Sequence, residues 1–267
     1  MLLTPSALAQ QGALNILLIG VDSADLLERS RSDAMILLRF DPQATEIRMV
    51  SFLRDLYVSV PGIGKMRLNA AYAHGGEALL KETITQNFGV AIDRTAAVSY
   101  PLLAELVDEL GGVEIDIAER ELNHLNKLIA EYNASWGFSG GAFSRSGLQR
   151  LDGRQALCYS RIRKIDSDFQ RSSRQQALLT AMFREAAQLP AWQLLKLAVR
   201  HLSRIQTDLS LSDLLALLPM ASRLSETAIH TACVPFEGTY RDETISGSQV
   251  LVPDLERCRE KLSAFLP

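Results

Sequence analysis

Arg161, Arg163, Arg171 and Arg174 all fall within Leu157 to Gln176, a stretch that reads LCYSRIRKIDSDFQRSSRQQ. With Lys164 added and Asp166 and Asp168 subtracted, it has a local surplus of three positive charges in a chain whose net charge is −3. Arginine forks bind phosphate oxygens in pairs, so several guanidiniums converging from neighbouring elements suit a diphosphate better than a lone carboxylate. The same composition also fits a solvated face of charge pairs. The strand-like composition of Ala156 to Ile162 predicts that Arg161 and Arg163, two apart, leave one face of a sheet. A helix is expected from near Ser172 or Ser173, where either hydroxyl can cap it and Ala177, Leu178, Ala181 and Met182 keep helical spacing. Arg171, Arg174 and Gln175 would then lie within a turn of its positive end, where backbone N–H groups also favour an anion.

Carboxylates complete this chemistry. The apolar run Asn15 to Val21 has strand length and is followed at once by Asp22, at the end of the strand where ligands collect in open α/β sheets. Asp33 leads into a second apolar run, Ala34 to Phe40. An antiparallel pair would bring Asp22 and Asp33 to one edge, and two carboxylates beside an arginine cluster make sense if a divalent cation joins them to phosphate oxygens. Asp22 also fits an ordinary turn. After a turn at Asp41-Pro42, Glu46 to Phe52 alternates as the third strand of a meander and delivers Arg54 to a strand end.

The remaining elements read as a scaffold. Tyr57 to Ile63 is an extended segment and turn, and RLNAAYAHGG leads into a helix from Glu77 to Asn87. Its glycine pair allows a close backbone approach or a turn, and His74 is an isolated loop histidine. A short strand ends at Val98 to Tyr100, a helix runs from Pro101 to Leu110, and Val113 to Ile117 alternates as a strand. A helix over Leu122 to Tyr132 precedes a glycine- and serine-rich loop with the character of a flap. Two amphipathic helices, Gln175 to Gln188 and Trp192 to Leu202, precede a third, capped by Ser212 and running to Leu224. Strands at Ala228 to Val234 and Ser246 to Val252 and a last helix to Phe265 complete an α/β fold with a single mixed sheet covered on both faces.

Composition narrows the class. A chain of 267 residues with 47% hydrophobic content can bury a large core. A pI near 5.9 and the lack of a long basic run argue against sequence-independent nucleic-acid binding. Residues 1–13 read as a flexible tail or the remnant of a signal or anchor, and 14–267 as one catalytic domain. Cys158, Cys233 and Cys258 have no metal-ligand spacing; Cys158 reads as a core residue, whereas Cys233 and Cys258 could pair in an oxidising compartment.

Six ordered blocks across Asn15 to Phe183 resemble the LytR-CpsA-Psr family of cell-envelope phosphotransferases. They are NILLIGVDS, RSDAMILLRFDP, MVSFLRDLYVSVPG, RLNAAYAHGG, ELVDELGGVEIDI and GLQRLDGRQALCYSRIRKIDSDFQRSSRQQ. The resemblance implies a three-layer α/β/α fold with a central mixed sheet. It also implies transfer of a glycopolymer, such as teichoic acid or capsular polysaccharide, from a polyprenyl diphosphate to a sugar hydroxyl of peptidoglycan. A phosphodiester forms and the polyprenyl monophosphate is released. Matched motif by motif, Asp22 and Asp33 would hold Mg²⁺, with Mn²⁺ as the alternative ion. Arg54, Arg161, Arg163 and Arg171 would grip the diphosphate, and Asp168, Arg174 and Gln175 or Gln176 would bind or orient that set. The implied location is extracytoplasmic, at a membrane surface or secreted, with no anchor visible in the sequence.

Two departures from the family pattern are Phe52-Leu53, where isoleucine-proline is common, and Ala24, where arginine is frequent, so that Arg29, Arg31 or neither supplies that charge. Phosphoryl transfer asks a protein chiefly to position groups and stabilise charge, which arginines and a metal accomplish without a covalent intermediate. Asp33 and Asp168 are the candidates for general base, although a carboxylate bound to metal or arginine is a poor one. Competing functions are a non-catalytic polyprenyl-diphosphate binding protein and a polyprenyl-diphosphate pyrophosphatase. The prenyl tail would need an apolar slot, for which Leu178, Leu179 and Met182 are candidate walls.

Overall fold

A computed structural model of the chain describes residues 13–22, 32–41, 46–136, 141–163, 167–221, 223 and 228–267. The described chain opens with strands β1 (Leu14–Val21), β2 (Ser32–Asp41) and β3 (Glu46–Phe52), then the hairpin β4 (Tyr57–Val60) and β5 (Gly64–Arg67). Next come α1 (Leu68–Phe88), β6 (Arg94–Ser99), α2 (Tyr100–Glu109), β7 (Val113–Ile117), α3 (Glu119–Trp136), β8 (Gly147–Leu151), α4 (Gly153–Ser160) and α5 (Asp168–Ala186). The last part holds α6 (Ala191–His201), β9 (Gln206–Thr207), α7 (Leu211–Ala221), β10 (Ala228–Val234), β11 (Tyr240–Ile245), β12 (Ser248–Pro253) and α8 (Leu255–Phe265). They divide into two compact units, one of Met1–Ser99 with Pro190–Pro267 and one of Tyr100–Leu189. The expected amino-terminal tail up to residue 12, Arg29 and Arg31, the turn at Pro42, positions 137–140 of the expected flap and the end of the helix at Leu224 lie outside the described residues.

The first unit is built on a six-stranded mixed sheet in the order β10-β3-β2-β1-β6-β9. The expected meander is present, with β1 antiparallel to β2 and β2 antiparallel to β3, while β6 joins β1 and β10 joins β3 in parallel. Most of β1 is buried, which is why LNILLIGV is a continuous apolar run and not an alternating one. Helix α1 packs on β2, β4 and β6. It begins at Leu68, nine residues before the helix expected from Glu77, because Leu68, Ala71 and Tyr72 already bury one face ahead of the glycines. The glycine pair kinks it: Gly76 has φ +63°, a conformation that side-chain-bearing residues rarely adopt. Among the described residues no helix is long and apolar enough to cross a membrane.

Three further expectations change in this unit. Strand β11 was not expected, since TYRDETI is polar and both strands of its hairpin with β12 are largely solvent-facing. Helix α7 is capped by Ser210 in place of Ser212: the Asp213 amide donates to Ser210 Oγ and the Ser210 amide donates back to the Asp213 carboxylate. Cys233 and Cys258 are not joined in a disulfide, and Cys258 Sγ lies 3.1 Å from the Thr239 hydroxyl.

The second unit has its own core, in which Val107, Val113, Ile115, Leu125, Ile129, Leu151, Ile162 and Leu178 pack together. The strand expected over Ala156 to Ile162 is instead helix α4, started by a reciprocal cap in which Asp152 accepts from the Gln155 amide and Gln155 Oε1 accepts from the Asp152 amide. Asp-x-x-Gln is the sequence signal that the strand reading passed over. Helix α5 starts at Asp168, after Ser167, and not at Ser172 or Ser173. Arg171 therefore stands at the end of the first turn, with Arg174 and Gln175 in the second and Gln176 opening the third.

Candidate functional site

In the first unit the sheet brings three charged residues to one end of adjacent strands. Val21 pairs with Ser32 and Gly20 with Ala34, so Asp33 is the extra residue of a β-bulge. Bulges re-aim side chains, and the Asp33 carboxylate accepts from Arg54 Nη1 at 3.3 Å, just past the end of β3. Asp22 follows β1 at the same end and is exposed. A second carboxylate, Asp55, lies 3.4 Å from Arg54 Nε and 3.3 Å from Arg67 Nε, so it bridges two guanidiniums. The backbone is fixed as well: the Asn69 amide donates to the Arg54 carbonyl at 3.2 Å, and the Leu68 amide to that of Leu56 at 2.8 Å, which ties the start of α1 to the arginine-bearing turn. Asp55 and Arg67 were not singled out by sequence reasoning. Twelve residues separate them, and no local spacing announces the contact.

In the second unit Arg161 is the C-cap of α4 and Arg163 lies two residues beyond, so they do not share the face of a strand. Both nevertheless line one pocket of about 410 Å³. The intervening Ile162 is wholly buried in the core, whereas Arg161 is half-buried and Arg163 exposed. The Arg161 guanidinium lies over the Tyr100 ring at 5.0 Å and the Tyr132 ring at 5.9 Å, and its Nη1 donates to the Tyr132 hydroxyl at 3.4 Å. Arg171, 3% exposed, lies 3.2 Å from Asp168 one turn earlier on α5. That carboxylate sits at the positive end of the helix, where its charge is favoured.

Arg174 is placed differently from the other arginines. Its side chain is 2% exposed, its Nε donates to Glu121 at 2.8 Å, and its Nη1 donates to the Ile162 carbonyl at 2.9 Å. It holds the backbone between Arg161 and Arg163, which corresponds to an orienting role. Gln176 is buried and Gln175 half-buried on the same helix. Glu121, Tyr100 and Tyr132 also escaped the sequence reading; Glu121 is 53 residues from its partner. Cys158 lines the pocket, but burial pushes its thiol up to about 11, so at neutral pH it is not a thiolate nucleophile.

The LytR_cpsA_psr family model matches residues 3–264 of the chain. The polyisoprenyl-teichoic acid–peptidoglycan teichoic acid transferase TagT of Bacillus subtilis is 28% identical over 219 residues, which cover 79% of this chain and 65% of TagT. The corresponding transferase TagU of Oceanobacillus iheyensis is 33% identical over 222 residues, 78% of this chain and 63% of TagU. The chain thus spans less than two thirds of the length of either relative. A solved structure of the LytR-CPS2A-psr family protein YwtF (TagT) with bound octaprenyl pyrophosphate lipid has the same fold. It gives a TM-score of 0.71 at 23% identity, covering 97% of this chain and 92% of that one.

Proposed function

The chain belongs to the LytR-CpsA-Psr family, and from that premise we propose that it transfers a glycopolymer from a polyprenyl-diphosphate donor to peptidoglycan. The relatives TagT and TagU are named as transferases of teichoic acid to peptidoglycan, which supports a donor and acceptor of this class. The observation that carries the reading is the pocket edge formed by Arg161 and Arg163, with Arg174 and Glu121 bracing the backbone between them. In the proposed step the acceptor hydroxyl oxygen bonds to the phosphorus that carries the glycopolymer. The P–O–P bridge breaks, polyprenyl monophosphate leaves, and the hydroxyl proton is released. Arg161, Arg163 and Arg171 of the second unit serve as donors to the phosphate oxygens, where fixed positive charge stabilises the transition state most.

Asp22 and Asp33 are proposed to hold Mg²⁺. Two hard carboxylate oxygens suit an ion that keeps waters and takes the rest of its shell from phosphates. Ser32 Oγ, fully buried beside Asp33, makes no hydrogen bond among the described residues, so an oxygen-rich ligand shell at this edge would give it a partner. Bound there, the ion would neutralise diphosphate oxygens. The reading places the protein outside the cytoplasm, at the membrane surface where a prenyl-linked donor resides.

The test is transfer from a polyprenyl-diphosphate-linked glycopolymer to peptidoglycan fragments. Arg161→Ala and Arg163→Ala should each lower kcat/KM by about 100-fold or more, the scale of losing one donor to a developing oxyanion. Chelation of divalent ions should abolish turnover, and added Mg²⁺ should restore it. Unchanged turnover in both variants overturns the proposal. Phosphate release without an acceptor would favour diphosphate hydrolysis, and donor binding without any product would favour a pure carrier.

A further inference from the structure

The outward face of helix α6 is built unlike a solvated one. Its exposed residues are Trp192, Lys196, Val199 and Arg200, whose spacing of four, three and one places them on a single side. A surface helix ordinarily turns its apolar stripe inward and leaves polar residues in water. Here Trp192 is 63% exposed and Val199 50%. Helix α7 packs on α6 and leaves Leu211 and Leu215, one turn apart, exposed as well. Of the six exposed large apolar side chains among the described residues, these four share two neighbouring helices, so they are a cluster and not the usual scatter.

The charge around this face has one sign. Leu189 to Thr207 holds Lys196, Arg200 and Arg204 and no aspartate or glutamate, in a chain whose net charge is −3. The acidic groups that follow are engaged elsewhere: Asp208 accepts from the Thr95 amide, and Asp213, the single acid of α7, is buried against Arg94. Two copies of the face would set like charges together, which disfavours self-association. Anionic lipid headgroups complement it. A tryptophan ring lies well at the boundary between bilayer and water, aliphatic side chains enter just below it, and lysine and arginine reach back to the headgroups.

We propose that the outward faces of α6 and α7 dock on an anionic lipid bilayer, with Trp192, Val199, Leu211 and Leu215 entering the headgroup boundary and Lys196 and Arg200 meeting lipid phosphates. This goes beyond the transferase reading, which needs a bilayer nearby but no particular contact with it. Docking by two packed helices fixes how the first unit lies on the membrane, which a flexible tether alone does not.

The experiment uses the full 267-residue chain and donor-free vesicles, either phosphatidylcholine alone or phosphatidylcholine mixed with phosphatidylglycerol, so the result is independent of transfer. The sequence has two tryptophans, and Trp136→Phe leaves Trp192 as the reporter. Anionic vesicles should sediment the protein and shift Trp192 emission to the blue. Lys196→Glu should weaken partition onto them by about tenfold, in keeping with the reversal of one charge at such a surface. Trp192→Ser should weaken it by about tenfold on both kinds of vesicle, and raised salt should narrow the difference between the two kinds. Both positions are exposed, so thermal midpoints should stay at the parent's value. Trp192 emission unmoved by anionic vesicles overturns the proposal. Binding that neither substitution weakens also overturns it, because the contact then belongs to another part of the chain. A concentration-dependent dimer that Trp192→Ser dissociates would overturn it too and assign the face to a second copy.

Discussion

Arg161 depends on its neighbours for direction. A long, flexible side chain loses about 2 kcal/mol of rotamer freedom when fixed, and a guanidinium laid over aromatic faces is held before any anion arrives. Tyr100 is buried and gives the closer ring, whereas Tyr132 contributes both a ring and a hydroxyl. The hydroxyl contact, at 3.4 Å, is long for a hydrogen bond, so the ring should matter more than the oxygen. Tyr132→Phe is therefore expected to retain transfer within about threefold, whereas Tyr132→Leu should lower kcat/KM by about 5- to 30-fold, matching a loss of about 1–2 kcal/mol. Full activity in Tyr132→Leu would show that Arg161 is positioned by other means.

At the scale of elements, the close approach of α2 and α4 fixes where Arg161 emerges. A Cβ built on Gly153 would sit 1.9 Å from the Ala104 carbonyl oxygen, a backbone atom that cannot swing aside. Gly153→Ala must push the first turn of α4 away from α2, with an expected cost of about 2–3 kcal/mol, visible as a lower thermal midpoint together with weakened donor binding. A midpoint equal to that of the parent protein would refute this tight packing. The same helix shows why part of the chain was illegible. Seven of its eight residues are buried, so ALCYS has no polar face to mark a helical period and reads like a strand. Strands β1, β2 and β3 were legible for the opposite reason, because continuous or alternating apolar runs of strand length admit few other readings. In the charged clusters of the two units, Asp33 and Arg54 could be read as charges stranded at the ends of apolar runs. Asp55 between two guanidiniums and Glu121 beneath Arg174 are tertiary contacts between distant positions, which no local pattern encodes.

At the scale of the whole chain, the first unit is assembled from two segments separated by the entire second unit in sequence. Strand β10 returns to pair with β3, β9 returns to pair with β6, and the Arg94 Nε donates to Asp213 at 2.9 Å across 119 residues. Burial pushes the Asp213 carboxyl up, but the hydrogen bond from Arg94 and those with Ser210 outweigh it, so its pKa lies below the usual carboxylate value. A carboxyl with a lowered folded-state pKa contributes stability that is fully present above the unfolded value, near 4, and is lost as pH falls through the folded value. At neutral pH the contribution is complete, so Asp213→Asn should destabilise the protein by about 1–3 kcal/mol there, the range for a hydrogen bond to a charged group. Because the parent protein loses this ionised carboxylate on acidification and the variant never had it, the stability gap between them should narrow below about pH 4. Denaturant melts of both proteins at pH 7 and pH 3 test the sign, and a gap that widens on acidification would rule out Arg94–Asp213 as the closure between the two segments.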